Sequence, residues 1–508
     1  MDRSITQGPP GSGRRPDEGS GGHAGAAGPP GRPVRRPSGG RLVNAVGLAI
    51  VGVALGVYMI QSLASPNNIY NHFVWQASAW LEGQTSIRYP VLGVDGKPGN
   101  DYFNDASEIT TADGTPTGRG LLPFPPLPAL VLLPFVKLWG LATDEQRISV
   151  LLAALDVGLA FWMLGRLRVR SPVRIAVTVF FAFGTVFWYT AEKGSTWYLA
   201  HVVAVGLALL SVGVALGADE AAVTDAAAGE VDRAEGATGR WWSPGRWGWH
   251  GVRTLIDGRQ FLAGFLLGLA GTARLTVVLG APFLVFVGGG GSWPRRGLSA
   301  ALGAAIPIGG LLLYNQVSTG HWFNPVYEFL YQQEANFYTF LHYNPDWAIE
   351  DIRYVPANLG LMLVGPPDIL PTVLPFGQQL CDAAHPIRGW LDPACPIIAP
   401  RQEGMGLLLT SPAWLYAVSA VRRIGWNRLV TGSVLAVFLI ALVNVAHFSQ
   451  GWVQFGYRFS NDFAPFALVL LALALQWRPR LGWFAVGLIA FSIGVNAWGV
   501  YWGGAYGW

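Results

Sequence analysis

The sequence predicts an all-α, polytopic membrane protein of about eleven spans, and three observations predict it. Of the 508 residues, 51% are hydrophobic and only 13% are charged, with a mean hydropathy of +0.35, a balance foreign to soluble enzymes. Apolar runs of spanning length recur along the chain. The arginines between those runs sort to one side, as the positive-inside bias requires. The 22 Trp, 16 Tyr and 26 Phe supply aromatic belts at headgroup level.

Residues 1–41 contain GPPGSGRR and AAGPPGRPVRRPSGGR and lack an apolar core, so they read as a disordered basic tail without a cleavable signal. Arg35, Arg36 and Arg41 stand just before the first apolar run and hold that end in the cytoplasm against anionic lipid. A nucleic-acid-binding tail is the rival reading; anchoring explains the same arginines without it, so no nucleic-acid partner is expected.

Residues 42–508 form the polytopic domain. Spans are expected near 42–62, 147–165, 174–191, 196–217, 298–315, 405–421, 429–447, 463–477 and 483–501. The run from Phe261 to Val287 is interrupted by Arg274 and reads as one span or as two short helices meeting there. Two helices put the loops with Arg166, Arg168, Arg170 and Arg174, with Arg295 and Arg296, with Arg422, Arg423 and Arg428, and with Arg478 and Arg480 all on the side of the amino terminus. One span would put the last three sets outside, so two are expected. The carboxyl terminus, YWGGAYGW, then lies outside.

That count requires 121–141 not to cross. The stretch from Asp101 to Trp139 joins a carboxylate-bearing segment to an apolar one broken by Pro123, Pro125, Pro126, Pro128 and Pro134. Proline removes donors and restricts the residue before it, which suits an interfacial or re-entrant segment beside a watery cavity. A loop running into a proline-started span is the alternative.

Three loops follow from this topology: an outer one at 63–146, a flexible cytoplasmic connector at 218–259, and a second outer one at 316–404. The second is rich in aromatic and amide residues, as in NPVYEFLYQQEANFYTFLHYNPDW. That composition suits stacking on sugar rings, and equally amphipathic interfacial helices. It also holds the two cysteines, Cys381 and Cys395. An oxidising exterior favours a disulfide between them, worth about 3 kcal/mol by loop closure; two free thiols are the alternative. No CxxC, HExxH, P-loop or spaced His cluster points to a bound metal, although outer carboxylates could hold a divalent cation without a motif. The cofactor is therefore left unknown.

Four ordered segments resemble the C-type (GT-C) glycosyltransferase superfamily, which includes protein O-mannosyltransferases and bacterial lipid A aminoarabinose transferases. They are NNIYNHFVWQASAWLEGQ, PFPPLPALVLLPFVKLWG, FLAGFLLGLAGTARLTVVLGAPF and QFGYRFSNDFAPFALVLLAL, spread over most of residues 42–480. The resemblance implies a cell-membrane enzyme with its active site outside the cytoplasm. It also implies a sugar donor on a polyprenyl phosphate and a glycan, lipid or protein acceptor. One departure matters: the family's acidic pair is replaced by Asn67 and Asn68, and an amide cannot take a proton as a general base.

Transfer to a hydroxyl needs a carboxylate for the acceptor proton and cationic help for the departing phosphate. Asp105 is the first candidate base, followed by Asp101 and Glu108. Arg274 and Arg458 are the candidate phosphate ligands, since a guanidinium among apolar helices needs an anionic partner or a cavity. Asp462, four residues after Arg458, could instead pair with it on one helical face. Asn68, Tyr70, Glu192, His201 and Tyr457 are expected to line the site with Asp462. Asp156, inside a span, calls for an arginine partner. Two other functions fit the same residues: a transporter or flippase of lipid-linked sugars, and a non-catalytic relative that binds the donor.

Overall fold

A computed structural model of the chain describes residues 39–66, 70–91, 105–228, 256–333, 343–373, 379–382, 387–451 and 453–508. It divides into two compact units, Met1–Leu42 and Val43–Trp508. Nearly all of the basic tail, most of the 218–259 connector, and Asn67, Asn68 and Asp101 lie outside the described residues.

The second unit is mostly helical. Among the described residues, six helices are long and apolar enough to cross a membrane: α1 (Gly39–Ala64), α4 (Glu145–Arg166), α7 (Thr196–Ala218), α11 (Trp293–Thr319), α16 (Arg428–Ala446) and α18 (Trp483–Ala505). A seventh forms if α5 (Ser171–Phe183) and α6 (Phe187–Lys193), bent by 48° at their junction, count as one. The other apolar runs fall on shorter pieces. They include α9 (Gly258–Gly271), α10 (Ala281–Phe286), α14 (Leu407–Thr410), α15 (Leu415–Ala420) and α17 (Ser460–Gln476). The run from Phe261 to Val287 does break at Arg274: α9 ends at Gly271, Arg274 is extended, and a 3-10 turn over Leu275–Gly280 leads into α10.

Burial separates inner from outer helices. In α7, 83% of the most apolar stretch is buried, against 22% in α1, 28% in α11 and 33% in α18. The outer helices thus present apolar side chains that suit lipid. Inside, α7 packs on α4 and α9, α9 on α11, and α17 on α16 and α7. The α9/α11 pair is drawn together by glycines: a Cβ on Gly264 would sit 2.0 Å from the Ala300 carbonyl oxygen, and one on Gly303 2.0 Å from that of Phe261. Such backbone contact is how helices associate where burial alone gives no drive. Gly303→Val should cost roughly 1–3 kcal/mol by overpacking, read as a fall of several degrees in melting temperature in detergent. Gly309→Val, whose Cβ meets nothing within 4 Å, should leave it unchanged.

The segment between α1 and α4 contains α2 (His72–Leu81), a three-stranded antiparallel sheet and α3 (Leu127–Trp139). The strands β1 (Ile87–Arg88), β2 (Ser107–Thr110) and β3 (Pro116–Leu121) pair in the order β1-β3-β2. In α3, Pro128 sits in the first turn, where its missing donor costs nothing. With 13 residues, α3 is about 20 Å long, short of a bilayer core of about 30 Å. Its first N–H, from Leu127, donates to the Thr272 carbonyl at 3.1 Å. The proline segment is thereby tied to the break that carries Arg274.

The connector after α7 begins as a helix, α8 (Glu220–Ala228). Its alanines favour that state, Asp219 accepts from Ala222 N–H at 3.2 Å, and Asp219 also pairs with Arg428. In the segment after α11 come α12 (Val326–Gln333), α13 (Val355–Val364) and a two-stranded pair, β4 (Asp368–Ile369) with β5 (Ile398–Ala399). Cys381 and Cys395 are joined there as a disulfide, Cα to Cα 4.4 Å.

Candidate active site

The amino-terminal turns of α7 gather the groups. Trp197 Nε1 donates to Asp105 Oδ2 at 3.1 Å. Thr196 Oγ1 donates to the Tyr70 carbonyl at 2.8 Å and lies 2.9 Å from His72 Nδ1. Rings of Tyr70, His72 and Phe124 surround Trp197. Asp105 is 8% exposed and has φ of 63°, a left-handed conformation that aspartate tolerates better than most residues and that recurs at functional sites. Glu108 stands half-buried on β2, opposite Gly120. The third acid, Asp101, lies outside the described residues.

One residue after Trp197, the Tyr198 ring lies 5.3 Å from the Arg458 guanidinium. Further along, His201 Nδ1 meets Asp462 Oδ1 at 2.8 Å. Asp462 is the hub. Arg274 donates to it from Nη2 at 3.0 Å and Nε at 3.3 Å, Thr276 Oγ1 at 2.7 Å, and Asn444 Nδ2 at 3.4 Å. The Phe459 ring lies 5.1 Å from the Arg274 guanidinium and 5.4 Å from that of Arg458, within reach of cation–π attraction.

Asp462 therefore pairs with Arg274 and His201 rather than with Arg458. The four-residue spacing fails because α17 begins only at Ser460, so Arg458 precedes the helix and shares no face with Asp462. Arg458 is 9% exposed, and its Nε has no partner among the described residues. Around Phe459, two guanidinium groups face one carboxylate. Among the described residues this leaves one positive charge without a carboxylate in a low-dielectric setting, where an anion would be attracted strongly.

Tyr457 is buried and donates its hydroxyl to Gln450 Oε1 at 2.8 Å. Glu192 pairs with Lys193 at 3.5 Å, both buried, and Lys193 Nζ reaches Ser65 Oγ at 3.3 Å. That pair sits at the bend before α7, apart from the bonds that hold Asp462. Asp156 finds no arginine among the described residues; it lies against Gly206 of α7, and its Oδ2 has no partner there. The described residues contain no group of three His, Cys, Asp or Glu placed to hold a metal ion.

Sequence reasoning passed over Trp197, Thr276 and Asn444. The first lies in STWYLAH, where a Trp at a span's outer end reads as a belt residue; the other two are small polar residues in apolar runs and signal nothing singly. It also passed over a cavity of about 870 Å³ between the segment from Asn344 to Glu403, residues 448–451 and Tyr506. Charge on its rim is tightly held. Arg353 donates to Asp351 at 2.6 Å, and its hydrogen bonds and charge pull the Asp351 pKa down to about 2. A carboxylate lowered in this way contributes above its ordinary range and fades as pH falls toward 2, so the pair persists at any physiological pH.

No family model matches the chain, and no curated protein matches it. Among solved structures it is similar to the crystal structure of the Archaeoglobus fulgidus oligosaccharyltransferase in the apo form, at 12% identity and a TM-score of 0.40. The match covers 91% of this chain and 56% of the other, so the chain spans about half the length of the protein it matches.

Proposed function

We propose that the chain is a membrane glycosyltransferase moving a sugar from a polyprenyl-phosphate donor onto an acceptor outside the cytoplasm. In this reading the membrane is crossed eleven times, with the amino terminus inside. One observation carries it: the first two turns of α7 join a buried carboxylate, Asp105 on Trp197, to two guanidinium groups, Arg458 over Tyr198 and Arg274 through Asp462 and His201. Asp105 takes the proton of the acceptor hydroxyl, whose oxygen then attacks the anomeric carbon. The bond from that carbon to the phosphate oxygen breaks, and the phosphate departs on its lipid.

Arg458 receives the developing phosphate charge, because its guanidinium is not already neutralised by a carboxylate among the described residues. Arg274 is 23% exposed at its side chain and bound to Asp462, so it adds field and position. Donors aimed at such charge are worth about a hundred- to a thousand-fold in rate. In proteoliposomes given a radiolabelled polyprenyl-phosphate sugar and a membrane-extract acceptor, Arg458→Ala should lose transfer by about that factor, and Arg458→Lys should recover part of it. Flux of the labelled lipid across the bilayer without any transfer product would sink this reading in favour of a transporter.

A further inference from the structure

The geometry points to the cavity of about 870 Å³ as a binding cleft for a neutral oligosaccharide, the acceptor of the proposed transfer. This rests on the transferase reading for the word acceptor, but not for the ligand's chemistry. The volume falls in the range of about 300–1,000 Å³ usual for small-molecule sites. Its lining combines rings with amides and charges: Trp347, Arg353, Arg401, Gln402, Gln450 and Tyr506 among others.

The charges decide the class. Arg353 is spent on Asp351 at 2.6 Å and lies 4.5 Å over the Trp347 ring. Arg401 is spent on Asp368 at 2.8 Å, and Gln402 Nε2 donates to Glu403 at 3.2 Å. A phosphate or carboxylate ligand would meet guanidinium groups whose charge is already offset by these carboxylates, whereas hydroxyls can accept from and donate to the pairs in place. Two lining residues carry a polar atom that is enclosed in the cleft's wall and has no partner among the described residues, Gln402 Oε1 and the Tyr506 hydroxyl; a side-chain rotation would bring either to a ligand. A buried polar atom left so is costly unless something else satisfies it. Aromatic faces beside amides and paired charges match the alternation of apolar C–H faces and hydroxyl edges on a sugar ring.

The cleft also reaches the chemistry. Gln450, in its wall, accepts from Tyr457 and donates to the Asn444 carbonyl at 2.9 Å. Asn444 in turn donates to Asp462, and Tyr457 precedes Arg458. A glycan lying in the cleft would thus end beside the segment that carries the proposed phosphate ligand.

The test uses the full chain in nanodiscs without any donor, so it reads the cleft whether or not transfer occurs. Binding of maltotriose, α-mannotriose and an arabinotriose is followed by saturation-transfer NMR and calorimetry. At least one should bind, Trp347→Ala should weaken it at least tenfold, and Tyr506→Phe about threefold. The second variant removes only a hydroxyl without a partner among the described residues, so it reads the site even if the first fails to fold. Pyrophosphate in excess should not displace the sugar. Absence of binding by all three sugars, binding unchanged in Tyr506→Phe and in folded Trp347→Ala, or displacement by pyrophosphate would overturn the proposal. If binding behaves as expected but Arg458→Ala still transfers sugar normally, the cleft stands and the phosphate assignment falls.

Discussion

Asp105→Asn is expected to lower kcat by about a hundred- to ten-thousand-fold, the usual worth of a positioned general base, with little change in donor KM. The substitution is close to neutral for the fold. Asparagine tolerates the φ of 63° about as well as aspartate, and its amide oxygen can still accept from Trp197 Nε1 as the carboxylate does at 3.1 Å. The capacity to take a proton is lost, while the bond from Trp197 is kept. A melting temperature within a few degrees of the wild type would show that the loss is chemical. Glu108→Gln, on the half-buried strand position, should transfer sugar normally. Wild-type kcat in Asp105→Asn would remove the base assignment and move attention to Asp101.

Asp462→Ala is expected to be the most damaging single change to stability. It leaves Arg274, His201, Thr276 and Asn444 without their common acceptor. Removing one partner of a buried ion pair costs roughly 3–5 kcal/mol, here reduced because the Arg274 side chain is 23% exposed and so keeps some hydration. Melting temperature and the yield of monodisperse protein in detergent would both fall. Asp462→Asn should fall less, since its one amide oxygen can still accept from Thr276 or from His201, which bond to different oxygens of the carboxylate. Combining Asp462→Ala with Arg274→Met should recover part of the loss, as the isolated guanidinium goes with its partner. Additive losses in the pair would show that the two residues do not stabilise one another.

These two residues differ in how far the sequence could reveal them. Asp105 could be proposed from the sequence because it is local: an acid just ahead of the proline cluster, in a segment that resembles a catalytic loop. Arg274 was legible as a break, since an arginine amid apolar residues needs a partner. Its partner, Asp462, lies 188 residues away, and no local pattern fixes which of two arginines it serves. The register of α17 decides that, and helix starts are among the least readable features of an apolar run. The short pieces at Leu407–Thr410 and Leu415–Ala420 follow from the same difficulty. Hydropathy averages across Pro412, where the backbone does not. The cleft was illegible for a further reason: its wall comes from several separate stretches, including Tyr506 near the end of the chain.

The bond from Leu127 N–H to the Thr272 carbonyl has a mechanical meaning. In the proposed topology α3 lies at the water–lipid boundary, where a short helix would tilt or sink as the bilayer thins or thickens, and it could not do so without pulling the backbone two residues ahead of Arg274. On the proposed function, acyl-chain length would then act as a dial on the aim of that guanidinium, with one membrane thickness giving the fastest transfer and both shorter and longer lipids slowing it.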